Sequence, residues 1–398
     1  MRKFLQIFVI ITLFFVHASA TENQIPLFKA YPSLPVLTDD KPRVHHAILG
    51  TFPTPVQKLE TLGAALNHPN LWIKRDDKTG ELFGGNKVRK LEFLLGDALA
   101  NNAKGVLTVG YAGSNHTTAT TVYAQKNNLE CFCLHTTQVP TKYLHRNLCL
   151  SKLHGAQLNH FNHVGERDLA KLELNKEFKE RTGSPLYFIP SGGSNEIGAL
   201  GFVNAIFELK EQIEQKQLPE PDLIYVACGS VATTAGLMLG IKAAGLKTKV
   251  VPICIEPPSR SGVDEEKLQN LYRLSSLFLH KRDATFPLTE LTPKECLIIR
   301  HDFAGKGYGV ISQEAYNAIK ALNETEQVKL DGTYTGKAFA AMIHDVATQR
   351  LHDKVILFWN TFYAGEHTDR VGHVDYKELP TEYHKYFKAQ LQELDQGV

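Results

Sequence analysis

Short apolar segments alternate along the chain with longer segments in which apolar residues recur at helical spacing. The short segments have the length and β-branched content of buried strands: "NLWIKRDD", "GVLTVG", "LECFCLH", "AQLNHF", "PLYFIP", "DLIYVACG", "KVVPICIE" and "KVILFWN". Helices are predicted between them: 87–102, "SNHTTATTVYAQKNN", "KYLHRNLCLSKLHG", "ERDLAKLELNKEFKERTG", "IGALGFVNAIFELKEQIEQ" and "ATTAGLMLGIKAAG". Strands that alternate with helices form βα units, so the pattern predicts an α/β fold with parallel-sheet cores and flanking helices.

Two stretches near the ends of the chain depart from this alternation. Residues 21–45 are rich in proline and are expected to be irregular. A polar stretch follows the last predicted strand, and an amphipathic helix is predicted from about Glu382 to Leu394.

The first twenty residues have the layout of a secretory signal. Arg2 and Lys3 form a basic start, an apolar run covers 4–16, and "HASA" ends in a small-residue cleavage pattern. The sequence therefore predicts cleavage after Ala20 and export to the periplasm or the medium. An uncleaved membrane anchor is the alternative, but the run is shorter than the ~20 residues that span a bilayer.

Composition and charge exclude several kinds of partner. The 398 residues are 43% hydrophobic and 22% charged, as in ordinary globular proteins. Removal of Arg2 and Lys3 with the signal reduces the 44 basic residues to 42, equal to the 42 acidic residues. A neutral mature chain gives no reason to expect binding to nucleic acid or to an anionic membrane.

Six cysteines in an exported chain raise the question of disulfides. Four of them, Cys131, Cys133, Cys228 and Cys254, lie in predicted buried strands, and a chain of this size has core enough without cross-links. We therefore expect free, buried thiols. No metal site is expected, because two groups of histidines lack the spacing of a strong zinc site: His154, His160 and His163, and His367 with His373. The serine-hydrolase motif G-x-S-x-G is also absent.

The segment "FGGNKVRKLEF" places two glycines and an asparagine directly before Lys87, at the start of a predicted helix. Glycines permit a tight turn and a close approach of the backbone to a ligand. The positive end of the helix dipole disfavours the charged form of Lys87. A lysine in this setting can form a Schiff base with a carbonyl group. The alternative is an ordinary exposed lysine on a helix, and this context alone does not decide between them.

Two further loops lie between a predicted strand and a helix, where ligands bind in parallel sheets. In "YAGSNHTTA", Ser114, Asn115 and His116 offer donors for a carboxylate or phosphate, although helix capping explains serine and asparagine equally well. In "ACGSVATTAGL", small residues and hydroxyls resemble a phosphate-binding loop without the lysine of a nucleotide P-loop. Tight packing of helix on sheet is the alternative there. A Schiff-base lysine with a carboxylate loop and a phosphate loop together indicate pyridoxal phosphate as the cofactor.

The sequence resembles the fold-type II pyridoxal phosphate enzymes related to tryptophan synthase β, in particular the group of D-cysteine desulfhydrase and 1-aminocyclopropane-1-carboxylate (ACC) deaminase. The resemblance runs from about residue 46 to 362, and its most specific motifs are "FGGNKVRKLEF" and "YTGKA". It implies a homodimer of two-domain subunits. The implied large, cofactor-binding domain comprises 46–90 and 200–365, and the small domain 91–199. The signal, 1–20, and an extension, 21–45, precede these domains, and a tail, 366–398, follows them.

The resemblance also implies roles for individual residues. Lys87 would bind the cofactor aldehyde and act as acid and base, and Asn115 would contact the cofactor's 3-hydroxyl group. Ser114, with the backbone at Asn115 and His116, would hold the substrate carboxylate, and Tyr308 and Tyr334 would flank the substrate. The loop that would bind the phosphate comprises Gly229, Ser230, Val231, Ala232, Thr233 and Thr234.

Two threonines bear on the substrate. ACC deaminases similar to this chain carry glutamate and leucine at the positions of Thr335 and Thr361. A hydroxyl at the pyridine nitrogen stabilises a carbanion less than a carboxylate does, and expulsion of a thiolate demands less stabilisation than ring opening. We therefore expect α,β-elimination of D-cysteine or a similar β-substituted amino acid to pyruvate, ammonia and sulfide. ACC deamination to 2-oxobutanoate is the alternative, and a non-catalytic periplasmic amino-acid-binding protein is a third hypothesis.

The sequence departs from the family pattern in the segment "WNTFYAGEHTD", where the family usually has a His-Thr-Gly-Gly turn. Phe362 and Tyr363 are bulkier than the residues of that turn. The shape of the substrate pocket is therefore expected to differ from that of the family.

Overall fold

The computed structural model describes residues 24–37, 42–292, 295, 299–348 and 351–397. The predicted signal, 1–20, lies outside the described residues. Among the helices within these ranges, none combines the length and the apolar character needed to cross a bilayer.

The described chain contains two β-sheets. Their strands are β1 Val56–Lys58, β2 Leu71–Arg75, β3 Gly105–Tyr111, β4 Glu130–Thr136, β5 Gln157–Phe161, β6 Tyr187–Ile189, β7 Leu223–Cys228, β8 Lys249–Cys254 and β9 Ile356–Asn360. The first sheet has the order β1-β2-β9-β7-β8 and the second the order β5-β4-β3-β6. Neighbouring strands are parallel, with the exception of the antiparallel pair β1 and β2. The predicted α/β fold with parallel-sheet cores is confirmed.

Helices flank both sheets. In chain order they are α1 Pro26–Ala30, α2 Glu60–Ala65, α3 Asn86–Ala100, α4 Asn115–Lys126, α5 Lys142–Leu153, α6 Val164–Thr182, α7 Glu196–Glu214, α8 Ala232–Ala244, α9 Pro258–Ser261, α10 Glu265–Arg282, α11 Gln313–Glu326, α12 Thr335–Thr348, α13 Thr368–Val371, α14 His384–Lys388 and α15 Glu393–Gln396. The short apolar strands are explained by this arrangement, because a parallel strand covered on both faces has no solvent side. In β9, for example, all five residues are buried.

Helix α3 lies very close to a neighbouring long helix. It packs against α7, and a Cβ atom on Gly201 would lie only 2.2 Å from the Arg89 carbonyl oxygen, so glycine permits this close approach of the two helices. The domain boundaries expected near residues 90 and 200 fall inside α3 and α7. The second sheet lies wholly within 91–199, while the division into domains stays a prediction.

Two expectations about the ends of the chain are wrong. The stretch 21–45 contains the helix α1, whose Leu27 is buried and donates its N–H to Asn204 Oδ1 at 2.9 Å. The single helix expected from about Glu382 to Leu394 is broken into α14 and α15, with extended backbone at Ala389. The break follows from tertiary contacts, because the Gln392 side chain hydrogen-bonds the backbone of 309 and 311.

The prediction of free, buried thiols is confirmed for the cysteines in the described residues. They are Cys131, Cys133, Cys149, Cys228 and Cys254. Cys296 lies outside the described residues. The sulfur atoms of Cys131 and Cys133 are 3.8 Å apart on the same face of β4, and both contact the Thr121 hydroxyl.

Four charged side chains are buried together beneath the start of α3. Arg89 donates to Asp76 Oδ1 at 2.8 Å and to Glu208 Oε2 at 2.9 Å, and Lys74 Nζ donates to Glu208 Oε1 at 2.5 Å. Trp359 Nε1 donates to Asp76 Oδ2 at 2.7 Å. Two cations and two carboxylates therefore balance one another and fasten the start of α3 to β2, α7 and β9.

Candidate active site

One cleft is lined by residues at or just beyond the carboxyl ends of β3, β7, β8 and β9. It encloses about 780 Å³, including space open to solvent. The predicted site residues in its lining are Lys87, Ser114, Asn115, His116, Gly229, Ser230, Val231, Thr233, Thr234, Tyr308, Tyr334 and Thr361. Ala232 and Thr335 lie outside the lining. The three loops that the sequence singled out therefore meet in space, as expected for the carboxyl edge of parallel sheets.

Lys87 lies in the first turn of α3, directly after a turn that only glycine accommodates easily. Gly85 has a φ of 89°, and a Cβ atom there would lie 2.8 Å from the Thr361 carbonyl oxygen. The Asn86 N–H donates to that same carbonyl oxygen at 3.1 Å. Lys87 Nζ donates to Asn86 Oδ1 at 3.1 Å. The turn thus holds the lysine amine at the wall of the cleft.

The setting of Lys87 favours its neutral form. Burial lowers its pKa from the usual value of 10.5 to about 8, and the negative charge of Asp331 opposes this shift. The position beside the positive end of α3 acts in the same direction as burial. A neutral amine is the form that attacks an aldehyde, so the setting suits a Schiff-base lysine.

The loop at the start of α4 both caps the helix and faces the cleft. Ser114 Oγ accepts the His116 N–H at 3.2 Å, which is the capping interaction considered as the alternative. Asn115 Oδ1 accepts Asn147 Nδ2 at 2.9 Å, so the Asn115 amide nitrogen can donate elsewhere. Burial lowers the pKa of His116 well below its usual value, and the imidazole, 3.0 Å from Thr108 Oγ1, is neutral.

The loop between β7 and α8 has the features of an anion site. Val231 adopts a left-handed conformation with a φ of 62°, and no side chain caps the first N–H groups of α8. A Cβ atom on Gly229 would lie 3.0 Å from the ring of Tyr334, so little bulk fits there. Thr234 Oγ1 is buried without a hydrogen-bond partner in the described part of the chain. A ligand oxygen at this helix N-terminus would satisfy these groups.

Lys90 is a candidate that the sequence reasoning missed. Its side chain is buried, and its Nζ donates to the carbonyl oxygen of Gly192 at 3.0 Å. Gly192 lines the cleft and contacts the phosphate-type loop, since a Cβ atom there would lie 2.2 Å from Ser230 Oγ. Burial, together with the charge of Lys87, lowers the pKa of Lys90 well below its usual value. Lys90 follows Lys87 by three residues, so both lysines lie on one face of α3. This spacing is the sequence feature from which Lys90 could have been predicted.

The two predicted tyrosines form a hydroxyl pair. Tyr334 OH donates to Tyr308 OH at 3.0 Å, and burial raises the pKa of both above its usual value. Both phenols are therefore protonated near neutral pH. The ring of Tyr111 lies 4.2 Å from that of Tyr308, and Tyr111 OH donates to Glu256 Oε1 at 3.3 Å. Neither Tyr111 nor Glu256 was predicted, although Tyr111 begins the loop "YAGSNHTTA" that the sequence marks.

Lys337 of the "YTGKA" motif is buried and positions the Tyr308 loop. Its Nζ donates to the carbonyl oxygens of Ile255, Ala304 and Gly307, each at 2.8 Å. Burial lowers its pKa to about 8. The lysine therefore ties the residue before Tyr308 to the end of β8. Lys337 itself does not line the cleft.

The two threonines that bear on the substrate have different environments. Thr335 Oγ1 donates to Asp331 Oδ1 at 2.6 Å, and Asp331, which lines the cleft, caps the start of α12 through the Thr335 N–H at 2.9 Å. Thr361 lines the cleft, just after the end of β9. A direct contact of Thr335 or Ala232 with a cofactor stays a prediction.

Within the described ranges, no group of three or more His, Cys, Asp or Glu side chains is arranged to hold a metal ion. The family model for pyridoxal-phosphate dependent enzymes matches residues 48–361. The chain belongs to the pyridoxal-phosphate dependent enzymes. The cofactor inferred from the three loops is thereby confirmed.

Within the pyridoxal-phosphate dependent enzymes, the chain is similar to several individual proteins. D-cysteine desulfhydrase of Serratia proteamaculans is 35% identical over 316 residues, which cover 77% of this chain and 90% of the relative. A putative ACC deaminase of Pyrococcus horikoshii is 34% identical over 335 residues, covering 80% and 96%. The solved structure of an ACC deaminase homologue superimposes with a TM-score of 0.68 at 30% identity, covering 86% of this chain and 96% of that one.

The residues of this pyridoxal-phosphate dependent enzyme fit its cofactor. The Lys87 amine suits the aldehyde, and the uncapped N-terminus of α8 with the unpartnered Thr234 hydroxyl suits the phosphate. The buried Lys90 amine donates to Gly192, which contacts that loop. The Thr361 hydroxyl and the Asn115 amide are polar groups that could fix the orientation of the pyridine ring.

The lowered pKa of Lys87 predicts how the apoenzyme takes up pyridoxal phosphate. The neutral amine fraction rises about tenfold per pH unit below the pKa, so the uptake rate is expected to rise between pH 6 and about 8 and then level off. The measurement is the appearance of visible absorbance after mixing, with Lys126→Ala as the matched control. A midpoint near 10, or a rate independent of pH, would show that Lys87 is an ordinary exposed lysine.

Proposed function

We propose that this enzyme catalyses the α,β-elimination of D-cysteine, or of a similar β-substituted amino acid, to pyruvate, ammonia and sulfide. The observation that carries the proposal is the Lys87 amine, with a pKa lowered to about 8, in the same cleft as a protonated tyrosine pair. The similarity to a D-cysteine desulfhydrase over 90% of that protein's length supports the choice of substrate.

The cofactor, when bound, supplies an electron sink for the negative charge that develops at the substrate's Cα atom. Lys87 Nζ removes the Cα proton. Its pKa of about 8 suits this role, since a general base is most effective when its pKa lies near the working pH. Asp331, whose carboxylate accepts N–H groups at the start of α12, keeps a negative charge near the amine and stabilises it after protonation.

The start of α4 binds the substrate carboxylate. Ser114 presents a hydroxyl, and Asn115 an amide and a backbone N–H, at the positive end of the helix. His116 is neutral, so it adds no charge to this subsite. The carboxylate is therefore held by dipoles and hydrogen bonds.

Tyr308 and Tyr334 act on the leaving sulfur. Because burial keeps both phenols protonated and Tyr334 OH donates to Tyr308 OH, the Tyr308 hydroxyl can donate a hydrogen bond to the departing thiolate and stabilise its negative charge. Water then hydrolyses the released enamine to pyruvate and ammonia. Lys337 supports this step indirectly, since it fixes the loop that carries Tyr308.

The two threonines provide a matched test of which hydroxyl acts in the cleft. Thr361→Val removes a hydroxyl that faces the cleft, so kcat/KM for D-cysteine is expected to fall about tenfold with little change in Tm. Thr335→Val removes a buried bond to Asp331, so a loss of about 1–2 kcal/mol of unfolding free energy is expected. Sulfide release and thermal unfolding measure the two effects. Equal losses of kcat/KM in both variants would contradict the distinction between a functional Thr361 and a structural Thr335.

ACC deamination is the second candidate, favoured by the 34% identity to the putative deaminase and by the solved homologue. The deciding experiment incubates the holoenzyme with D- and L-β-substituted amino acids and with ACC, and assays keto acid and sulfide. Sulfide and pyruvate from D-cysteine support the proposal. Production of 2-oxobutanoate from ACC without sulfide from D-cysteine would replace it.

We further propose that the enzyme is exported and forms a homodimer, as expected from the N-terminal sequence and the resemblance. N-terminal sequencing of the protein recovered from the periplasm and the medium tests cleavage after Ala20. Light scattering coupled to gel filtration tests the dimer. A chain that starts at Met1, or a mass of one subunit, would contradict the respective proposal.

A further inference from the structure

Arg146 of α5 is a buried cation with an unusual environment. Its guanidinium carbon lies within 6 Å of the centres of four aromatic rings: Phe83 at 5.6 Å, Tyr143 at 4.9 Å, Phe362 at 5.7 Å and Tyr363 at 5.9 Å. Among the described residues, no carboxylate lies within 4 Å of it. Arginine side chains are rarely buried without an acidic partner, because loss of hydration is costly.

Oxygen atoms of amides compensate for the lost hydration. On one side, Nη1 donates to the carbonyl oxygens of Tyr363 at 3.0 Å and Gly365 at 2.9 Å. On the other side, Nη2 donates to Asn147 Oδ1 at 2.9 Å and, more weakly, to Asn115 Oδ1 at 3.4 Å. The planar, forked guanidinium suits this two-sided bonding, which an ammonium group cannot reproduce.

The two sides of this arrangement lead to two different parts of the cleft wall. Asn115 lines the cleft at the start of α4. The carbonyl oxygens of Tyr363 and Gly365 belong to the turn that follows Thr361 and Phe362, which also line it. Arg146 does not line the cleft itself, so it contacts neither cofactor nor substrate directly.

The Phe362 ring packs against the Arg146 guanidinium and its neighbouring aromatic ring. Its ring packs edge-on against Tyr143 at 4.8 Å and under the guanidinium of Arg146. Burial lowers the pKa of Arg146 only to about 10, so the side chain stays charged at neutral pH and the ring contacts persist. Movement of Phe362 would break contacts on both sides of this cluster.

We propose that Arg146 is a positioning residue that fixes Asn115 relative to the 361–365 turn and thereby sets the width of the active-site cleft. The inference rests on the proposed function, since the cleft is taken to bind cofactor and a small amino acid between these walls. Loss of the guanidinium releases the Asn147 amide, whose Nδ2 holds Asn115 Oδ1, and lets Phe362 move outward. The cofactor ring then loses its fixed orientation, and bulkier amino acids enter.

The test compares Arg146→Met and Arg146→Lys with Arg181→Met. Arg181 is a matched control because it pairs with Glu130 on the surface of the second sheet, away from the cleft. For Arg146→Met we expect kcat for D-cysteine to fall ~30-fold, with a smaller change in KM and about tenfold weaker binding of pyridoxal phosphate. The visible circular dichroism of the bound cofactor should shrink at least twofold, and activity on a β-substituted amino acid with a benzyl group should rise relative to D-cysteine.

Arg146→Lys keeps a cation in the ring cluster but lacks the fork. For Arg146→Lys we expect at least a tenfold loss of kcat, with Tm close to that of the unmodified protein. In a third variant, Arg146→Ala, millimolar guanidinium chloride should restore part of the lost kcat. Full activity of Arg146→Lys, or an unchanged cofactor signal in both variants, would overturn the proposal. If Arg146→Met does not fold, Arg146→Lys alone decides. If the unmodified enzyme turns over no D-cysteine, the proposed function fails, while the cofactor affinity and circular dichroism still test Arg146.

Discussion

Replacement of Lys87 with alanine is expected to lower kcat for D-cysteine by ~10³-fold or more. The same side chain is proposed to bind the cofactor covalently and to move the Cα proton, and general acid–base catalysis alone contributes about 10²- to 10⁴-fold. The fold should be little affected, because within the described ranges the amine's hydrogen bond goes to the neighbouring Asn86 side chain and links no other element. Stopped-flow and steady-state assays of sulfide, with the visible spectrum of the purified protein, measure both consequences.

Lys126→Ala is the matched control for this substitution. Lys126 ends α4 on the surface, so its loss should leave the spectrum and the rate unchanged. Retention of the visible band in Lys87→Ala after gel filtration would show that another group holds the cofactor. If Lys87→Ala still binds amino acids and the unmodified protein turns none of them over, the hypothesis of a non-catalytic binding protein would be favoured.

Replacement of Glu208 with glutamine is expected to lower the free energy of unfolding by ~3–5 kcal/mol, the range found when one partner of a buried ion pair is removed. The substitution leaves Arg89 and Lys74 buried with Asp76 as the remaining acid. Urea unfolding followed by circular dichroism gives the difference. The start of α3 should loosen as well, so weaker cofactor binding is expected to accompany the loss.

Glu211 on the same helix is the control. It forms an exposed pair with Lys29 at 2.8 Å, so Glu211→Gln should change the unfolding free energy by no more than ~1 kcal/mol. If the two variants lost equal stability, the buried network would have no special role. A stable Glu208→Gln protein would instead show that the two cations tolerate the missing charge.

The same network predicts the response to acid. Burial raises the pKa of Glu208, but Arg89 and Lys74 more than offset this and lower it from 4.5 to about 2. Because the folded-state pKa is depressed, the stabilisation is fully present above about 4.5 and is lost as the pH falls towards 2. The stability difference between the unmodified protein and Glu208→Gln should therefore shrink over that interval.

The strands, the loops and the lysine could be predicted from the sequence because each depends on local signals. Apolar runs mark buried strands, and the glycines before Lys87 mark a turn that the φ of 89° at Gly85 requires. The sequence did not show that the Thr335 hydroxyl donates to Asp331. This hydrogen bond competes with any contact of the hydroxyl with a ligand. The break in the C-terminal helix depends on Gln392 and its distant backbone partners. Arg146 had no local signal either, since its ring contacts come from three separate segments.

The buried sulfur atoms have a practical consequence for following how the molecule opens. A maleimide or iodoacetamide reagent cannot reach Cys131, Cys133 or Cys254 while their strands are packed, since each side chain is at most 4% exposed. The first two lie in the second sheet and the third in the first sheet. Peptide mass spectrometry after brief alkylation would therefore show which sheet exchanges with solvent earlier, without any engineered label.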